Sequence, residues 1–469
     1  MSKLNKIKNQ TKVPNKPRKI RVQKILNEKE ILRFTEFIKD FAPKIIDCPN
    51  EELLSEEAIL AKAFSRARII TLELLVLIIL NFAANTQKKS MSSLILEIWI
   101  STSRLDEMPT RQAVSNALGH LSIDKLRLRV LKLSYNGNHH NIKYLNGKKI
   151  YCVDGTKNQL PRNSYTIEEF GLQNSGSNPA HYPQAHLVCF IELGTNCVKW
   201  FEIGGLKSNE KPLLLKGVDA LETGSILMGD CGFHSAGLAW KLSDKSYSYI
   251  FRINEKNAVK MVSKLKFVNG EIITTLKITK EMKNTYLEME NAPDEIEVRI
   301  IKVKGAEGDK RAIYLMTDLM DVPKKEIADL YFERQRVEDA FKYKKCYGGL
   351  EKIHHNSEEQ LIGLIIIGVI AYFNMVQLSL SILLPTPSPN ENGKFSLNRK
   401  IAFENVLAFY FKFLRTKTFD KNLLKTLART QNKIRTGRSE VRYSKQPINT
   451  HIRNRGKIRK QIEKNKKTS

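Results

Sequence analysis

Cysteine is scarce and poorly arranged for chemistry: six residues, Cys48, Cys152, Cys189, Cys197, Cys231 and Cys346, with no pair at CxxC or CxxxC spacing. That usage argues against a disulfide framework and a cysteine zinc site, and suits a reducing cytoplasm. Acid is also in short supply, with 49 Asp and Glu against 78 Lys and Arg and a formal charge of +29. An acidic partner is implied, and nucleic acid, a ribosome or a membrane surface would all satisfy that balance. No GxxxxGK[ST] occurs, so an ATP-driven mechanism has no support in the sequence. The histidine pairs His139-His140 and His354-His355 are adjacent, whereas helical zinc ligation wants positions four apart. Met1 to Arg21 is lysine-rich without an apolar core, so no secretory signal is expected and the chain should stay cytoplasmic, associated with the nucleoid. Leu361 to Leu384 carries no charge over 24 residues, long enough to test as a membrane span. Gly363, Gly368, Asn374, Gln377, Ser379 and Ser381 dilute it, and Glu358 and Glu359 rather than lysines flank its start, so a buried core helix is the better reading.

At 469 residues the chain has room for about three domains of roughly 150 residues. Residues 1–28 read as a basic flexible arm and 29–147 as a helical N-terminal DNA-binding region. Within the latter, Thr110 is placed to cap a helix running from Arg111 to Leu118 and stopping at Gly119. A helix-turn-helix and a plain helical bundle both fit that pattern. From residue 148 the periodicity turns to strands. Ile150 to Asp154 is a short run; Leu187 to Leu193 and Val198 to Ile203 flank a Gly194-Thr195-Asn196 turn; a helix at Lys211 to Leu221 precedes a strand at Ser225 to Asp230; a helix at Ala236 to Ser243 precedes a strand at Tyr247 to Ile253. That order predicts an α/β ribonuclease H-like catalytic core built from 148–253 and 324–384. A β-rich insertion, 254–323, interrupts it, with strands at Glu271 to Thr279, Glu297 to Val303 and Ala312 to Thr317. A last catalytic helix is expected from about Lys324 to Tyr347, stopped by Gly348 and Gly349. Pro385, Pro387, Pro389 and Gly393 mark a linker, and 385–469 read as a helical C-terminal region with a basic tail.

The segment Tyr331 to Lys345 is the most informative. On a helix Tyr331, Arg334, Glu338 and Lys345 fall within roughly 60° of one another, along about 20 Å. Leu330, Val337 and Phe341 form a neighbouring apolar stripe. One carboxylate between an aromatic and cations suits a metal ligand beside phosphate, although solvated helix faces carry similar patterns. The spacing Tyr-x2-Arg-x3-Glu-x6-Lys resembles the YREK signature of the DDE transposases of the IS4 insertion-sequence family. Val153-Asp154-Gly155-Thr156 and Met228-Gly229-Asp230-Cys231-Gly232-Phe233 resemble the segments holding that family's two catalytic aspartates. Tyr182-Pro183-Gln184-Ala185 and Glu192-Leu193-Gly194-Thr195 resemble further landmarks. The resemblance spans about Ile150 to Leu384. Cys231, Gln335 and His186 depart from it, standing where many members have Arg, Trp and Arg.

The resemblance implies a DNA transposase that cuts insertion-sequence ends and transfers them to target DNA. Asp154, Asp230 and Glu338 would be the catalytic acids, binding two Mg²⁺ ions, with Mn²⁺ able to substitute. It further implies that Arg334 and Lys345 grip transposon-end phosphates and Tyr331 contacts the 5′ phosphate, with Lys342 a lesser candidate beside them. The expected partners are double-stranded DNA, as terminal inverted repeats and target, and a second copy of the chain in a dimer on DNA. The three departures keep a second reading open, a catalytically inactive relic that still binds element ends.

Overall fold

The computed structural model describes Glu36 and residues 54–60, 69–85, 90–101, 108–133, 142–172, 174–175, 178–179, 182–205, 207–253, 267–285, 291–304, 312–334, 359–383, 395–397, 399–416 and 431–433. Among the described segments from residue 54 on, five helices come first: α1 (Glu56–Leu60), α2 (Leu72–Asn85), α3 (Met91–Ser101), α4 (Arg111–Leu118) and α5 (Ile123–Leu133). The Thr110 hydroxyl accepts from the Ala113 amide at 3.2 Å and caps α4, as its position before an apolar-periodic run requires. Val114, Ala117 and Leu118 are the buried face of α4.

The strands follow. Short β1 (Tyr144–Leu145) turns into β2 (Lys148–Gln159) through Asn146 and Gly147, both at positive φ, the backbone a two-residue hairpin demands. Helix α6 (Ser164–Phe170) starts from a capping box between Asn163 and Thr166. Two-residue β3 (Asn174–Ser175) and β4 (Asn178–Pro179) pair with each other. Then come β5 (Gln184–Glu192), β6 (Val198–Gly204), α7 (Glu210–Val218), β7 (Ile226–Gly229), α8 (Ala236–Asp244) and β8 (Ser248–Ile253). The expected order of strand, hairpin, helix, strand, helix, strand is therefore present. The first strand, however, runs five residues past Asp154, because β5 pairs with it as far as Gln159.

Strands β9 (Glu271–Lys277), β10 (Glu295–Lys304) and β11 (Ala312–Thr317), with helix α9 (Lys280–Thr285) between the first two, add to the same sheet. The sheet has nine strands in the order β6-β5-β2-β7-β8-β11-β10-β9, with β1 beside β2. Strands β2, β7 and β8 are mutually parallel, and the remaining pairings are antiparallel. Residues 324–334 form a helix, α10. Helix α11 (Glu359–Leu383), strand β12 (Phe395–Leu397), helix α12 (Arg399–Thr416) and strand β13 (Gln431–Lys433) complete the described chain.

Alternation along the strands supplies two cores, one on each face. Ile150, Cys152, Leu187, Cys189, Ile226 and Met228 join the terminal helices on one face. Tyr151, Val153, Val188, Phe190, Leu227 and Phe251 meet α7 and α8 on the other. Helix α11 is long and apolar enough to cross a membrane, yet 94% of its 18-residue window Ile362–Ser379 is buried inside the fold. Its Asn374 explains how it docks. The side-chain amide donates to the Val198 carbonyl at 2.8 Å and accepts from the Val198 amide at 2.7 Å, pairing with the start of β6 as another strand would.

Candidate active site

Asp154 and Asp230 reach one place by strand geometry. The parallel pairing of β2 with β7 ends at Val153 opposite Gly229, so each aspartate is the next residue on adjacent strands, which lie about 4.8 Å apart. There β7 stops while β2 continues, which puts both aspartates at the carboxyl end of a parallel strand, where open α/β sheets place their binding crevices. Asp154 keeps the phase of Ile150 and Cys152, and so lies on the face covered by the terminal helices. Both carboxylates are half-buried and oriented by a nearby backbone amide. The Gly155 N–H donates to Asp154 Oδ1 at 3.0 Å, and the Gly232 N–H to Asp230 Oδ1 at 2.8 Å.

Helix α10 brings the next part. Ile327, Ala328, Tyr331 and Arg334 form its buried side, a spacing of one, three and three that keeps one helical face. Tyr331 packs in the core beneath the terminal helices. Burial pushes its phenol up to about 12, with the nearby Asp230 charge contributing and Arg334 and Arg252 opposing. The Arg334 guanidinium lies 5.4 Å from the Tyr331 ring centroid, a cation–π contact. The stripe read as polar thus faces inward at its first two positions, with Tyr331 near Asp230. Glu338, Lys342 and Lys345 lie outside the described residues.

A second charged layer lies under the aspartates. Glu210 is the first residue of α7, whose N-cap is Asn209. Its Oε1 meets His186 Nε2 at 3.1 Å, while His186 Nδ1 meets the Ser208 carbonyl at 3.1 Å. His186 thus bridges two acceptors, the Ser208 carbonyl and the Glu210 carboxylate. The hydrogen bond from His186 holds the Glu210 carboxyl below its ordinary range, outweighing its partial burial, and Lys157 and Lys211 add to the effect. Lys211 Nζ donates to the His234 carbonyl at 3.1 Å. Burial lowers Lys211, and burial followed by the Lys211 charge pushes His234 down to about 4. Sequence reading missed this layer: an acid in the first turn of a helix is ordinary dipole compensation, and only the fold reveals what Glu210 sits beneath.

Among the described residues, no group of three or more His, Cys, Asp or Glu side chains is gathered closely enough to hold a metal ion. What is present is a pair of half-buried, acceptor-only carboxylates, a hard-oxygen donor set suited to Mg²⁺ or Mn²⁺ that is incomplete without further oxygen ligands.

Residues 145–374 match the family model of the transposase DDE domain. That segment, just under half of the chain, is a transposase DDE domain of the IS4 type. This transposase is similar to "Transposase InsG for insertion sequence element IS4" of Escherichia coli (strain K12), with 23% identity over 320 residues, 66% of this chain and 70% of that protein. Among solved structures it is similar to the piggyBac transposase in a synaptic complex with hairpin DNA. That match has 12% identity and a TM-score of 0.39 and covers 89% of this chain and 88% of the other.

Proposed function

We propose that this transposase cleaves DNA at the ends of its insertion sequence and joins the freed ends to target DNA, with Asp154, Asp230 and Glu338 as its catalytic acids on a ribonuclease H-like core. The observation that carries the reading is the placement of Asp154 and Asp230 as next residues on neighbouring parallel strands, at the point where one strand ends. Together with Glu338, these side chains would hold two Mg²⁺ ions, which supply activation of the attacking hydroxyl and stabilisation of the leaving oxygen. The chain's own groups orient the carboxylates. Gly155 and Gly232 amides fix one oxygen of each aspartate.

Arg334, Lys345 and Lys342 are proposed to neutralise end phosphates, and Tyr331 to abut the 5′ phosphate. The depth of Tyr331 and Arg334, 5% and 6% exposed, favours contact with a strand drawn into the crevice over contact with duplex on the outer surface. The net charge of +29 supports double-stranded DNA as partner. A dimer is proposed because cutting and joining two ends requires two active sites on one paired complex.

The test is incubation of purified protein with a duplex carrying the element's terminal inverted repeat and Mg²⁺, followed by product analysis on denaturing gels. Cleavage by the parent, lost in Glu338→Gln with DNA binding retained, is the expected result. Equal cleavage by Glu338→Gln would remove that residue from the mechanism. End binding without products from the parent would establish the inactive relic instead.

A further inference from the structure

Two glycines follow the catalytic aspartates, one immediately and one after Cys231, and the same side chain lies against both. A Cβ on Gly155 would overlap Glu210 Oε1, and a Cβ on Gly232 would sit 3.2 Å from Glu210 Oε2 and 3.0 Å from Asp230 Oδ1. One carboxylate therefore occupies the space left empty by both glycines, the two residues whose amides orient Asp154 and Asp230. Glu210 is itself fixed from two sides. The Asn209 side chain caps its helix, and His186, 6% exposed and anchored to Ser208, grips Oε1.

From this geometry we infer that Glu210, held by His186, is a positioning residue of the active site: its carboxylate is the shared strut that sets the spacing of the two aspartate-bearing segments. The inference rests on the reading of Asp154 and Asp230 as cation ligands. Glu210 acts through the glycine backbones and through its negative charge on the far side of them, not as a ligand, in keeping with the lack of a three-carboxylate cluster among the described residues. His186 orients that charge much as outer groups orient metal-binding side chains elsewhere.

A merely structural role would alter melting and leave cation affinity alone, so the test reads both. Mn²⁺ is titrated by isothermal calorimetry into the full-length, DNA-free protein, for the parent and for Glu210→Gln, Glu210→Ala, His186→Ala and Asp154→Asn, with each variant's thermal melt alongside. Glu210→Gln keeps the shape of the strut and guards against loss of folding in Glu210→Ala. The expected result is a Mn²⁺ affinity weakened about 10- to 100-fold in both Glu210 variants and in His186→Ala, with Glu210→Gln melting as the parent does. Mn²⁺ affinity within twofold of the parent in both Glu210→Ala and Glu210→Gln, while Asp154→Asn abolishes binding, would overturn the strut and leave the two-aspartate reading standing. Binding unchanged in Asp154→Asn, or no binding by the parent, would overturn both.

Discussion

At the scale of single residues, His234 ties stability to acidity near the candidate site. Its imidazole is held neutral, with burial pushing it down to about 4, against about 6.5 in an unfolded chain. Between those values the unfolded state binds a proton that the folded state refuses, so stability falls as pH drops through the window from about 6.5 to about 4. Thermal melts from pH 7 to pH 4.5 should show a loss of about 1–3 kcal/mol that His234→Gln largely removes; equal pH slopes in the two proteins would contradict the assignment. Asn374 offers a cleaner packing test. Its amide completes both backbone groups of Val198, and Asn374→Leu leaves a buried donor and acceptor unmet. A destabilisation of about 2–4 kcal/mol by denaturant titration is expected, whereas a loss below about 0.5 kcal/mol would show that those groups find other partners.

Among elements, the passage from β11 into α10 decides where Tyr331 and Arg334 sit. Arg299 on β10, 6% exposed, donates from Nη1 to the carbonyls of Leu319, Met320 and Val322 at 2.8, 3.0 and 2.5 Å, and from Nε to Glu271 Oε2 at 3.0 Å. The Asp318 carboxylate meanwhile accepts from the Tyr249 amide at 3.0 Å. A strand pair far from the aspartates in sequence thus clamps the turn that aims the helix. Arg299→Met should cost about 2–4 kcal/mol, discounted for the partial exposure of Glu271. It should also speed amide hydrogen exchange in residues 324–334 more than in β5. Uniform acceleration across the fold would mean that the clamp has only a general stabilising role.

How much of this was legible depends on the kind of signal. Thr110 and the apolar runs of α2, α3 and α11 were readable because caps and hydrophobic periodicity are local properties. The hairpin of β5 and β6 was readable from its glycine-centred turn, and strands β9 to β11 from their β-branched runs. The end of β2 was not, since Thr156 to Gln159 looks like a polar loop until β5 pairs with it. Asp154 and Asp230 were found through the resemblance of their flanking residues, each being by itself an ordinary turn acid. His186 was read only as a departure and Glu210 as the start of a helix, because their partnership joins residues that no spacing relates. Tyr331 and Arg334 were read as part of a polar stripe, with docking on the sheet assigned to the stripe of Leu330, yet both are buried, because helical phase alone cannot say which stripe turns inward.

For the molecule as a whole, one nine-stranded sheet carries a core on each face, and Asp154 and Asp230 follow directly on the last parallel pair of β2 and β7. The charge of +29 predicts strongly salt-dependent DNA binding. If six phosphates are neutralised, the logarithm of affinity should fall with that of salt concentration at a slope of about −5, measurable by fluorescence anisotropy; a slope near zero would remove phosphate contact as the basis of binding. The central claim is narrower: the segments bearing Asp154, Asp230 and Glu338 surround one cation site. Loading the protein with Fe²⁺ and triggering local oxidative backbone cleavage with ascorbate and peroxide tests it directly, because cuts form only beside the bound ion. The account predicts cuts in all three segments, suppressed together by excess Mg²⁺ and lost in Asp154→Asn. Cuts confined to one segment, or cuts at all three that Mg²⁺ leaves unchanged, would contradict it.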